Sequence, residues 1–297
     1  PDRKCGGILT MMLENFGQME QFVREQSGKK RVALAAAHDA DALGSLMMAV
    51  DRGIAEAILI GRRKEIVRVL DEMGKDAGDF RIIEEEDDRA AADKAVELVH
   101  CGEADMPMKG LMHTSTFMKA ILDKEKGLKE EGNLLSQASV FEIPEKDRFL
   151  IISDCAVNID PDLETKIKIT ENAAALAHTL GIEQPKIAVL SAVEVVNPKI
   201  RSTVDAAAMR ERLSDRYLID GPLALDNAID EAAAHHKGIE SPVAGNADIL
   251  IVPDLWSGNI FSKGLVFFAH LRSAGTLNGL KAPVVMSSRT DTVENKY

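Results

Sequence analysis

An arginine beside a serine, just past an apolar run, is a pair able to hold an oxyanion, and the stretch PVVMSSRTDTVEN (283–295) offers one. Arg289 carries a planar fork that grips phosphate through paired hydrogen bonds and stabilises charge growing on a carbonyl oxygen. Ser288 adds a hydroxyl, and Asp291 or Glu294 supplies a carboxylate able to take a proton from a thiol. The plainer alternative is a surface turn closed by an Arg–Asp ion pair.

Three other loops combine polar groups with strand ends. After DMPMKG (105–110), His113, Thr114 and Ser115 open a helical segment that carries Lys119. A helix start with hydroxyls and free backbone donors suits phosphate, although the same residues would serve as an ordinary N-cap turn. CAVNIDPD (155–162) offers Asn158 behind Asp154, and PDLWSGNIFSKG (253–264) offers Gly258, Asn259 and Lys263. Gly258 would let a ligand approach the backbone closely, whereas SGN would equally serve as a cap and Lys263 as a solvated charge. Cys155 has no basic neighbour in sequence to lower its thiol pKa, so a small buried cysteine is the reading of that position. His38 is either a cleft histidine or a bystander to helix capping by Asp39 or Asp41.

Other chemistries find little support. The histidines lack metal-ligand spacing and three scattered cysteines make no zinc or disulfide framework, so no metal is expected. Neither a GxGxxG after the first strand nor a P-loop lysine pattern occurs. A formal charge of −12 argues against nucleic acid, which is bound through basic surfaces. No apolar run approaches the length of a membrane span, and the first residues lack a leader pattern. A cytoplasmic protein that touches no membrane is expected.

The elements that must position these loops are legible in the apolar pattern. RVALAAA (31–37), EAILIG (56–61), FRII (80–83), DMPMKG (105–110), SVFEI (139–143), FLIISD (149–154), KIAVLS (186–191), RYLID (216–220), DILIVP (248–253) and PVVMSS (283–288) read as short strands. Helical segments alternate with most of them, and an amphipathic helix is expected over 8–26. Continuous apolar runs of four to six residues mark strands covered on both faces, hence parallel sheets between helix layers. Asp160-Pro161 opens a helix that Gly181 closes, and the charged stretch 83–99 is a solvated helix with acidic residues in its first turn. With 45% hydrophobic residues in 297, the chain can bury two cores.

Taken together, ISDCAVNIDPDLETK (152–166), AVLSAVEVVNP (188–198), DGPLALDNAI (220–229), SPVAGNADILIVPDLWSGNIFSK (241–263) and VVMSSRTD (284–291) resemble the phosphate acetyltransferase and butyryltransferase family, from about residue 31 onward. VEVVNP, GPLALDNA, KGLMHTSTFMKAIL and the SRTD ending are closer to its butyryl branch. The resemblance implies a two-lobed α/β/α fold like that of isocitrate and isopropylmalate dehydrogenases, with the active site in the cleft between lobes. One lobe would combine 1–134 with 276–297, the other would be 135–275. It implies reversible transfer of a short acyl group, butyryl favoured and acetyl the alternative, between acyl-CoA and inorganic phosphate, giving acyl phosphate and CoA. No cofactor is implied, since the CoA thioester is a substrate, and family members form homodimers or larger assemblies. Ser288 and Arg289 would be catalytic, with Asp291 preferred over Glu294 as the base. His113, Thr114, Ser115, Lys119, Asn158, Gly258, Asn259 and Lys263 would bind substrate. A non-catalytic acyl-CoA-binding module is the remaining alternative.

Overall fold

A computed structural model describes residues 12–26 and 28–286, which group into two compact units. Residues 19–135 with 275–286 form one unit, residues 12–18 with 136–274 the other. Met12–Gln18 thus differ from the lobe expected for them. The Leu13 N–H donates to the Leu180 carbonyl at 3.0 Å, and the Phe16 ring packs at a tilt of 52° against Phe149, centroids 5.0 Å apart, while its N–H donates to Glu142.

The first unit is built on β1 (Lys30–Ala35), β2 (Ala55–Gly61), β3 (Arg81–Glu84) and β4 (Met106–Lys109), a parallel sheet ordered β3-β2-β1-β4. Val285 bridges Met108 in parallel beyond β4. The strands alternate with α2 (Ala40–Asp51), α3 (Arg63–Glu72), α4 (Asp88–His100) and α5 (Thr114–Ile121). Right-handed crossovers dictate the layers. The chain steps one way from β1 to β2 to β3, then reverses to β4, so α4 lies on the face opposite α2 and α3. Alternation along β1 fits this: Val32 and Leu34 join the core of Leu43, Leu46, Ile66 and Leu70 from α2 and α3, leaving the small Ala33 and Ala35 for the alanine-rich α4.

In the second unit six strands are ordered β10-β5-β6-β9-β7-β8. They are β5 (Ser136–Ile143), β6 (Arg148–Ser153), β7 (Lys186–Leu190), β8 (Leu218–Leu223), β9 (Ile249–Ile251) and β10 (Ser273–Asn278), the last of which starts in this unit. β5 runs antiparallel to β6, while β6, β9, β7 and β8 are parallel. Helices α6 (Leu163–Thr179) and α7 (Arg201–Leu213) follow β6 and β7. The short α8 (Leu225–Ile229) and α9 (Glu231–His236) and the longer α10 (Leu255–Phe267) follow β8 and β9, and residues of α8 and α10 pack with Leu150, Ile152, Leu250 and Val252 in one core.

Local signals explain the ends. Asp162, not Asp160, caps α6 by accepting from the Thr165 N–H at 2.8 Å, and Gly181 follows at φ +85°. Asp87 caps α4 through the Ala90 N–H, with Asp88 in the first turn. The described part of the expected first helix is α1 (Phe16–Glu25). Two features escaped the apolar pattern. The antiparallel β5–β6 hairpin has a run as apolar as its parallel neighbours, and β10, SAGTLN, carries no run because it lies at the sheet edge.

Candidate active site

In a doubly wound sheet, ligands bind where adjacent strands send their chains to opposite faces. Each unit has such a point. In the first unit it lies between β1, which leads to α2, and β4, which leads to α5. In the second it lies between β6, leading to α6, and β9, leading to α10. Three of the four loops singled out from the sequence end at these two crevices.

At the first crevice the ends of β1 and β4 touch. The Gly110 N–H donates to the Ala35 carbonyl at 2.8 Å and the Leu111 N–H to that of Ala36 at 3.1 Å. A Cβ at Gly110 would stand 2.3 Å from the Ala36 oxygen, so only glycine fits. Lys109 is buried, its Nζ 3.3 Å from the Gly110 carbonyl. His113 takes the N-cap position of α5 without a side-chain cap bond, and Thr114 and Ser115 are exposed in the first turn. These three stand together at the start of α5. Lys119 does not join them: it lies in the last turn of α5, where a cation complements the helix C-terminus.

At the second crevice most of the expected ligand groups are occupied by the protein itself. The buried Asp154 carboxylate accepts from the N–H groups of Ala156, Val157 and Asn158 and from Asn158 Nδ2 at 2.6 Å. Asn158 therefore closes its own loop. Asn259 Nδ2 donates to the Cys155 carbonyl at 3.1 Å, tying α10 to the end of β6. Gly258 is needed for close approach, but what approaches is the chain: an added Cβ would lie 2.6 Å from the Asp154 carbonyl oxygen and 2.8 Å from Val252. Ser257 receives the cap of Asp254, which accepts from both its N–H and its hydroxyl. Lys263 is exposed two turns into α10, on the row of Trp256, Ile260 and Phe267. Burial pushes the Cys155 thiol up to about 12, which keeps it protonated and unreactive, in line with the buried reading.

Ser288, Arg289, Asp291 and Glu294 lie outside the described residues. Val285, which precedes them, donates to the Pro107 carbonyl and accepts from the Lys109 N–H, both at 3.0 Å. Among the described residues no group of three or more His, Cys, Asp or Glu is placed to hold a metal ion.

One network was not anticipated. Asn227, fully buried at the start of α8, donates through Nδ2 to Glu194, which also accepts from Lys237 Nζ at 2.8 Å; Lys237 pairs in turn with Asp226 at 3.1 Å. The Lys237 hydrogen bond holds the Glu194 carboxyl below the usual range. The network pins the loop after β7 against α8 and the end of α9; Glu194, Asp226 and Asn227 fall in the strings VEVVNP and GPLALDNA, whereas Lys237 lies in neither. A groove of about 740 Å³ between α7 and β8, lined by Val196, Val204, Arg210 and Asp220 among others, belongs to neither crevice.

Fold and strand-end crevices together define a doubly wound α/β protein. The family model described as "Phosphate acetyl/butaryl transferase" matches residues 89–297. A phosphate butyryltransferase of Clostridium acetobutylicum is 45% identical over 290 residues, 96% of this chain and 95% of that protein. A phosphate acetyltransferase of Thermotoga maritima is 42% identical over 285 residues, 94% and 96% of the two chains. The crystal structure of a branched-chain phosphotransacylase from Enterococcus faecalis superposes with a TM-score of 0.81 at 35% identity, covering 90% of this chain and 95% of that one. The chain belongs to the phosphate acetyl/butyryl transferase family.

Proposed function

We propose that this chain is a phosphate butyryltransferase, transferring a short acyl group reversibly between acyl-CoA and inorganic phosphate. The observation that carries the reading is the 45% identity to a phosphate butyryltransferase across nearly the whole chain. A phosphate oxygen attacks the thioester carbonyl, a tetrahedral oxyanion forms, and the C–S bond breaks to give acyl phosphate and the CoA thiolate, which takes up a proton. In reverse, a carboxylate removes the thiol proton, from a group of ordinary pKa about 8.5, and the thiolate attacks the acyl phosphate. Arg289 stabilises the charge on the carbonyl and phosphate oxygens beside Ser288, a contribution of roughly a hundredfold or more in rate. Asp291 is the preferred base, with Glu294 the alternative. His113, Thr114 and Ser115 receive phosphate at the start of α5. The reaction balances without any cofactor.

Acetyl transfer is the second reading, favoured by the nearly equal 42% identity to an acetyltransferase. One methylene is worth only about 1–3 kcal/mol of discrimination in an apolar pocket. A cytoplasmic location goes with these substrates; among the described residues no helix is long and apolar enough to cross a membrane. The partner, besides substrates, is a second copy of the chain, an assignment supported by the exposed row of Trp256, Ile260, Phe267 and Phe268 along and just past α10.

The test is phosphate-dependent release of CoA thiol from acetyl-, propionyl-, butyryl-, isobutyryl- and valeryl-CoA, compared as kcat/KM. A maximum at butyryl or a branched neighbour is expected. A maximum at acetyl keeps the chemistry and replaces the acyl group, while no phosphate-dependent release from any donor overturns catalysis in favour of an acyl-CoA-binding module.

A further inference from the structure

α10 is 13 residues long and packs on the core of the second sheet, yet Gly258 is its only buried residue. α4, of the same length, buries five. Phe261, Leu265 and Val266 turn toward Leu150, Ile152 and Leu250 and are themselves only half-buried. A helix that seals a core on one side and presents polar groups on the other does not look like this.

Its outer face is apolar as well. Trp256, Ile260 and Phe267 share one helical row with Lys263 and are 57%, 71% and 63% exposed; Phe268 follows, and Ile159 stands exposed on the loop after β6. Five such side chains leave on the order of 600 Å² of apolar surface in water, close to the roughly 800 Å² per partner of a specific interface. The row is also complementary to itself. In a two-fold contact it meets its own copy reversed, Trp256 along Phe267 and Ile260 along the aliphatic stem of Lys263, whose ammonium stays at the rim. Gly264 lies beside the row, and an added Cβ there would meet nothing within 4 Å, so this chain's own packing does not call for a glycine, whereas a closely approaching second helix does.

The same helix holds the crevice between β6 and β9. Asn259 Nδ2 donates to the Cys155 carbonyl, Gly258 lies against the Asp154 carbonyl, and the Leu255 N–H donates to the Ile159 carbonyl at 3.0 Å. Ile159 thus belongs both to the loop gathered by the Asp154 carboxylate and to the exposed apolar face. We propose that a second copy of this chain packs on that face through a two-fold antiparallel α10–α10 contact, and that this contact sets the working shape of the β6–β9 crevice. The inference rests on the reading above, which names a second copy as partner and supplies the activity to be measured; it adds the surface and makes the crevice depend on it.

The experiment compares the full chain with Ile260→Asp, a change at an exposed position that disturbs a contact rather than the fold. Sedimentation equilibrium gives the assembly, phosphate-dependent thiol release from butyryl-CoA gives kcat, and hydrogen exchange follows the amides of Ala156, Val157 and Asn158, which the Asp154 carboxylate holds. The unaltered chain is expected to be a dimer. Ile260→Asp is expected to be a folded monomer with kcat lower by about tenfold or more and with the three amides exchanging about tenfold faster. If the variant does not fold, a dilution series of the unaltered chain makes the same comparison, activity per chain and amide protection falling together with the dimer fraction. A monomeric unaltered chain overturns the proposal, whatever else its α10 face then binds, and so does a variant that stays dimeric. A monomer of unchanged kcat, or one whose three amides exchange at the dimer's rate, overturns it as well. If the unaltered chain releases no thiol, the transferase reading has failed by itself, and assembly and amide exchange decide on the α10 contact.

Discussion

Gly258 shows how one atom decides between a binding role and a packing role. Its missing Cβ makes room for the Asp154 carbonyl, on the same loop whose N–H groups the Asp154 side chain gathers. A methyl group there has rigid backbone, not a flexible side chain, to displace. Gly258→Ala is expected to cost about 1–3 kcal/mol of stability by overpacking, seen as a lower denaturant midpoint with an unchanged slope. A variant of full stability with only a raised substrate KM would return Gly258 to direct ligand contact. Asn158 and Asn259 belong to the same set: each gives a side-chain N–H to holding a loop.

Between elements, the most enclosed charge pair joins α6 to α7. Lys166 Nζ lies 2.7 Å from Asp205, their side chains only 4% and 13% exposed, and Arg201 reaches the same carboxylate at 3.4 Å. Taking one partner away leaves the other charge in a poorly solvated place, whereas replacing both with apolar groups removes the desolvation penalty too. Asp205→Ala is therefore expected to lower stability by about 3–5 kcal/mol, and Lys166→Met with Asp205→Leu to recover most of that loss in chemical denaturation. Equal losses in the single and double variants would mean that the pair contributes net attraction. The helices it joins cover one face of the second sheet, so the test reports on the scaffold that holds β6 and its loop.

At the scale of the molecule, acidity governs stability. Hydrogen bonds from Arg31, Arg212 and Lys237 hold the carboxyl groups of Asp105, Glu164 and Asp226 below the usual range, as Lys237 does for Glu194. Groups depressed in the folded state stabilise it above their unfolded pKa, about 4, and lose that contribution as pH falls through the lower folded values. Asp248 has the opposite sign: burial raises its pKa, so its contribution is present when protonated and disappears as pH rises through the folded value. Asp123, held by the Lys126 N–H, and Asp162, held by Thr165, are depressed too. Among the described residues six depressed carboxyl groups against one raised predict a thermal midpoint that falls between about pH 4 and pH 2, measured at constant ionic strength. A midpoint flat across that range would show that the same pairings persist in the unfolded chain.

The sequence by itself determined most of the strand runs, the acidic first turn of α4, the buried Cys155 and the family strings, because each depends on residues that are near neighbours along the chain or on a pattern repeated along it. It placed three polar loops at strand ends that proved to be the two switch points. Only the tertiary structure decided what those polar groups face. Asn259 meets a carbonyl 104 positions away, Gly258 meets the end of β6, Lys119 and Lys263 lie well along their helices rather than at the turns that open from the strand ends, and the enclosed Nδ1 of His38 has no hydrogen-bond partner among the described residues. A side chain's type states which bonds it can make. Which bonds it does make is set by the groups that folding brings within about 3 Å, and chain order does not encode that distance locally.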